Sequence, residues 1–135
     1  MNDLKIVAAG IVIRNGKVLV AKRPRRSYGG LLWEFPGGKM ELGEDPKACL
    51  ERELSEELDI GVRVGDIVEV VYHRYDRYPV LLLGYRCEVK EGTPKAVGCH
   101  EYRWVGKEEL KGLALQEADK PIRDKLLKAR RLLVE

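Results

Sequence analysis

Glu53, Glu56 and Glu57 crowd together just after a loop holding the pair Gly37-Gly38. On a helix that advances roughly 100° per residue, Glu56 lies about 60° to one side of Glu53 and Glu57 about 40° to the other. Three carboxylates on one helical face repel one another unless a cation sits among them. A hard divalent cation with oxygen ligands meets that need, and Mg²⁺ typically serves phosphate substrates. The alternative is a solvated acidic helix in which Arg52 and Lys47 pair with scattered acids, each pair contributing a few tenths of a kcal/mol.

The helix that carries these acids is legible on ordinary grounds. Glu44 or Asp45 opens it, and Pro46 suits its first turn. Leu50, Leu54 and Leu58 recur at four-residue spacing and give an apolar stripe beside the acidic one. One face is therefore expected on a core, with the acids presented next to it.

The segment Gly38–Ile60 resembles the Nudix box: Gly, five residues, Glu, seven residues, then Arg-Glu-U-x-Glu-Glu-x-Gly-U, where U is aliphatic. The chain supplies Gly38, Glu44, Arg52, Glu53, Leu54, Glu56, Glu57 and Ile60. The one departure is Asp59 in place of the last glycine, a position that ends the helix left-handed and where Asp is a tolerated second choice. The preceding Trp33-Glu34-Phe35-Pro36-Gly37 narrows the resemblance to MutT-like nucleoside triphosphate pyrophosphohydrolases.

That resemblance implies an α/β fold, the Nudix α/β/α sandwich with a mixed sheet and a loop-helix-loop box. It implies Mg²⁺-dependent hydrolysis of nucleoside triphosphates to monophosphate and pyrophosphate, with Mn²⁺ as an alternative ion. By the same resemblance Glu53, Glu56 and Glu57 hold the metal together with the Gly37 carbonyl. Glu53 is the first choice for the base that takes the water proton, with Glu56 next. Arg52 braces the glutamates, Glu44 steadies the loop and the start of the helix, and Gly38 is structural. Arg23 matches a phosphate-contacting position, in a basic run with Lys22, Arg25 and Arg26; Lys39 could also neutralise phosphate. Glu34, Phe35 and Pro36 border the expected base site, although Trp33 and Phe35, on alternate strand positions, both suit a core. Asp119 is either an N-cap of the last helix or a hydrogen-bond partner of the base, and one carboxylate could serve both. A further metal-binding acid is expected shortly before Trp104. Cys99 stands where relatives place it, and Glu101 is the substitute. His73 and His100 make no metal pair and read as structural or peripheral.

Substrates expected from the resemblance are oxidised purine triphosphates such as 8-oxo-dGTP, as in nucleotide-pool sanitising, or pyrimidine triphosphates such as CTP or methylated dCTP. A non-catalytic, ligand-sensing Nudix module is the alternative of another class; such modules commonly lose the box acids, which are all present here.

The 135 residues are enough for one domain with a real core. A net charge of +3 is too small to argue for a nucleic-acid polymer as partner. No apolar run has membrane-spanning length and no signal-peptide pattern is present, so cytoplasmic residence, as a monomer or homodimer, is the expectation. Cys49, Cys87 and Cys99 lack metal-finger spacing, and the first two read as reduced and buried.

The elements that must position the acids follow from periodicity. Residues 4–14 and 17–21 form a hairpin around Asn15-Gly16. Trp33 to Phe35 is a short strand, 62–75 and 80–89 are two long strands, and 103–105 is another short one. Residues 107–110 make a helical turn and 121–133 a final amphipathic helix, with Ile122, Leu126, Ala129 and Leu133 on its apolar stripe.

Overall fold

The computed structural model describes residues 3–24 and 30–129. Its strands are β1 (Lys5–Arg14), β2 (Lys17–Lys22), β3 (Trp33–Glu34), β4 (Gly37–Lys39), β5 (Gly61–Arg74), β6 (Pro79–Glu91) and β7 (Glu101–Val105). The helices are α1 (Pro46–Leu58), α2 (Lys107–Gly112) and α3 (Lys120–Lys128), with a 3₁₀ turn at Glu117–Asp119. The strand path β3-β2-β1-β6-β5 forms the sheet, β4 pairs with β1, and β7 with β2. β1 and β6 run parallel, while the other pairs are antiparallel, so the sheet is mixed as expected.

Alternation along β1 sends side chains to two cores. Ala8 and Val12 join Leu50, Leu54, Leu58 and Cys87 under α1. Ala9, Ile11 and Ile13 face the other way, with Leu110, Ile122 and Leu126 from α2 and α3. The leucine stripe of α1 is thus its buried face, and the acids stand beside it.

Both ends of α1 are fixed by local chemistry. Asp45, rather than Glu44, is the N-cap: its carboxylate accepts the Ala48 N–H at 2.8 Å. Asp59 takes the left-handed conformation (φ 57°, ψ 41°) and its N–H donates to the Ser55 carbonyl. The carbonyls of Glu57 and Leu58 would otherwise end the helix unpaired. They accept N–H groups from Gly98 (2.9 Å) and Val97 (3.1 Å), and from Lys95 (2.9 Å), respectively.

Three expectations need correction. The short strand β4 was not anticipated; a Cβ on Gly37 would lie 2.0 Å from the Ala8 carbonyl oxygen, so only glycine lets this backbone pair so closely with β1. The last helix ends at Lys128 instead of 133, because Ala129 is extended and its carbonyl accepts from Lys107 Nζ at 2.8 Å; residues 130–133 lie outside the described part. Asp119 does not cap α3 through its side chain, since the 3₁₀ turn precedes the helix and the carboxylate is engaged elsewhere. Cys49 and Cys87 are free and buried as read, and Cys99 is free and half-buried. No helix among the described residues is long and apolar enough to cross a membrane.

Candidate active site

Arg52 organises the acidic face of α1. Its Nε and Nη2 donate to the two oxygens of Glu44 at 2.7 and 3.0 Å. Its Nη1 donates to Glu53 at 3.0 Å and to Glu56 at 3.1 Å. The bidentate grip, a geometry that guanidinium and carboxylate share, holds the Glu44 carboxyl down to about 2, aided by the N–H of Glu41. This is a bridge between the loop and two acids, not a plain surface pair. Glu53 leans over Gly38, where a Cβ would come within 2.2 Å of its carboxyl carbon. Burial raises the Glu53 carboxyl, opposed by Arg52. Glu57 faces inward. Its Oε1 is sealed from solvent and has no hydrogen-bond partner. Burial, then the charges of Glu34 and Glu53, push its carboxyl up to about 8.

Beside these acids opens a cavity of about 370 Å³. Gly37, Gly38 and Lys39 form its side toward α1, and Val7, Val80 and Leu82 contribute apolar surface. Arg23, Glu34, Phe35 and Asp119 line the rest together with Tyr75, Tyr78 and Gln116. Arg23 Nη1 donates to Glu34 at 3.2 Å. Burial raises the Glu34 carboxyl, and Arg23 opposes the rise. Asp119, 5% exposed, accepts the Phe35 N–H at 3.0 Å. Its carboxyl is raised by burial first and by Glu34 second. The cavity therefore joins an aromatic and apolar pocket to an acidic helix face through a glycine strand.

A NUDIX domain matches residues 8–125. The chain belongs to the Nudix family. It is 37% identical over 125 residues to the CTP pyrophosphohydrolase of Escherichia coli (strain K12), covering 90% of each chain. It is 42% identical over 96 residues to the 8-oxo-dGTP diphosphatase of Proteus vulgaris, covering 69% of this chain and 86% of that one. The solution structure of the E. coli ORF135 protein superposes with a TM-score of 0.80 at 34% identity, over 97% of this chain and 95% of the other.

Within the Nudix box the acids share one helix face. Among the described residues, however, no three His, Cys, Asp or Glu side chains gather closely enough to hold a metal as they stand. Glu53 and Glu56 both turn onto Arg52, whose charge offsets their mutual repulsion. Glu101 lies in β7 opposite Lys22 of β2, with ion pairs to Lys22 (4.0 Å) and Arg103 (3.5 Å). Cys99 instead flanks the box: burial and then the charges of Glu57, Glu34 and Glu101 push its thiol up to about 11. Pro36 is buried, its carbonyl accepts the Gly10 N–H at 2.7 Å, and its neighbours Phe35 and Gly37, rather than Pro36, line the cavity. Arg25 and Arg26 lie outside the described residues. His73 stacks edge-on against Tyr75 at 4.5 Å, and His100 is exposed.

Sequence reading missed Tyr75, Tyr78, Gln116 and Lys5 as cavity residues. The two tyrosines flank the turn between β5 and β6, and that pairing of aromatics around a turn was the available signal.

Proposed function

We propose that this Nudix chain hydrolyses nucleoside triphosphates to the monophosphate and pyrophosphate, using bound Mg²⁺. The observation that carries this reading is the Arg52 bridge to Glu44, Glu53 and Glu56 at the edge of a cavity large enough for a base. Relatives named for CTP pyrophosphohydrolase and 8-oxo-dGTP diphosphatase activity support it. The residues fit a hard divalent ion. Glu57 offers a buried oxygen without a partner, and every other donor in the set is a carboxylate or carbonyl oxygen. Glu53, Glu56, Glu57 and the Gly37 carbonyl would hold it. When bound, the ion supplies neutralisation of phosphate charge and a lowered pKa for a coordinated water.

The chain's own groups do the rest. Glu53, with Glu56 as the neighbouring choice, receives the proton of the attacking water; carboxylates this close titrate as a set. Arg52 keeps both in reach by holding them against Glu44. Arg23 and Lys39 bind phosphate oxygens. Asp119 and the backbone of Phe35 face the base, with Glu34 fixing Arg23. Hydrolysis in ¹⁸O-water should yield monophosphate and pyrophosphate as first products, and the label's position identifies the phosphorus attacked. Diphosphate plus orthophosphate as first products would contradict the reaction.

Oxidised purine triphosphates are the first substrates to test. A pyrimidine reading is favoured by the match to the CTP pyrophosphohydrolase, which spans 90% of both chains. Replacing Asp119 decides its part in the choice. Asp119→Ala should reorder kcat/KM across oxidised, methylated and unmodified nucleoside triphosphates, because a site that hydrogen-bonds its ligand discriminates strongly. An unchanged ranking, with only a lower melting temperature, would reduce Asp119 to a brace for Phe35.

A further inference from the structure

The short segment that carries Asp119 is held at three points. Trp33 of β3 grips it by donating to the Ala114 carbonyl (2.8 Å) and accepting from the Gln116 N–H (2.9 Å). Phe35 donates its N–H to the Asp119 carboxylate. The third hold comes from the residue that follows β5: the Ala118 N–H donates to the phenolic oxygen of Tyr75 at 2.9 Å. Ala118 is only 4% exposed, so this N–H has little access to water as a substitute partner.

Tyr75 is itself fixed. Its N–H donates to the Tyr78 carbonyl at 3.1 Å, closing the turn between β5 and β6, and its ring meets His73 edge-on at 4.5 Å. The phenol is thus a rigid post reaching across from the long hairpin. It grips the Glu117–Ala118 peptide, one residue before Asp119, so that a rotation of this turn would reorient the carboxylate.

We propose that Tyr75 is a positioning residue for base selection: its phenolic oxygen sets the orientation of Asp119 through the Ala118 N–H. The inference rests on the reading that Asp119 faces the base. Tyr75→Phe removes the acceptor and keeps the ring. Loss of one such hydrogen bond should change the kcat/KM ratio between the preferred triphosphate and its nearest competitor by roughly 3- to 10-fold, carried in KM more than in kcat. In an Asp119→Ala background the same substitution should move that ratio less than about twofold, since residues acting through one contact are not additive. Hydrogen exchange supplies a readout apart from turnover: the Ala118 amide should be protected in the unaltered protein and exchange faster in Tyr75→Phe.

Each outcome decides. If Asp119→Ala shifts the ratio and Tyr75→Phe does not, the positioning role is overturned while the base reading stands. An equal Tyr75→Phe effect with and without Asp119 would mean that Tyr75 acts on the base directly, which also overturns it. An Asp119→Ala variant with an unaltered ratio removes the base reading itself, and the proposal with it. An unprotected Ala118 amide in the parent protein would show that the bond does not hold the turn.

Discussion

Glu53→Gln should lower kcat by at least about 100-fold, the size expected when a positioned acid–base group is removed. The substitution is nearly isosteric. The amide oxygen can still accept from Arg52, which now reaches Glu53 at 3.0 Å, and the close approach to Gly38 is unchanged. What is lost is the ability to take a proton and to bind a cation strongly. The variant should therefore melt within a few degrees of its parent while turnover collapses. Steady-state kinetics at saturating substrate and metal, beside a melting curve, check both halves. Near-normal kcat would move the base to Glu56, with Glu101 next to be tested.

Removing divalent ions should abolish turnover altogether, and excess Mg²⁺ should restore it. Full activity in metal-free buffer would sink the proposed mechanism. The same acids give this dependence a pH signature. In the folded, metal-free protein the Glu57 carboxyl is pushed up to about 8 from an ordinary value of 4.5. Between these values the native state retains a proton that the unfolded chain has lost. Stability of the metal-free protein should therefore fall as pH rises through this window. Glu44, held down to about 2, works at the other end. Its contribution is complete above 4.5, is lost only in stronger acid, and leaves the upper window untouched. Burial, then Glu34 and Glu53, raise Glu57, while a hydrogen bond from the Gly37 backbone and the charge of Arg23 lower it. A divalent cation favours the ionised carboxylate and competes with the proton. The rise in Tm on adding Mg²⁺ should accordingly be larger at pH 8 than at pH 5.5. Each 1 kcal/mol of such linkage corresponds to roughly 3–5 °C in a chain of this size. An equal rise at both pH values would remove Glu57 from the metal site.

Much of this site could be read from sequence because its chemistry requires fixed spacing on one short element. The acids of α1, the leucine stripe and Asp59 are all local matters, and the structure shows the helix, its buried leucines and the left-handed Asp59 as the pattern implied. What escaped depends on partners distant along the chain. Asp119 sits just before a Pro-containing helix start, which locally resembles a cap. Its carboxylate instead meets the Phe35 N–H, 84 residues away. Pro36 belongs to a motif near the pocket, yet its carbonyl is taken by Gly10. Glu101 is an acid in the expected neighbourhood, but strand pairing sets it opposite Lys22. The cavity tyrosines were passed over for the same reason, since only the sheet shows which side of a turn faces inward.

The parallel pairing of β1 with β6 has a consequence for how the molecule is made. Lys5 lies beside Val80 and Val12 beside Cys87, so the central ladder joins segments from opposite halves of the chain. The leucines of α1 pack on Ala8 and Val12 from one side of that ladder and on Cys87 from the other. A growing chain that has released the box, but not yet residue 87, has only part of the surface against which its helix docks. Loop closure over such separations slows folding relative to chains built from local contacts. The motif that is most compact in sequence is thus among the last features to become structurally secure. Truncations downstream of the box should leave it without a fold, however complete its acids.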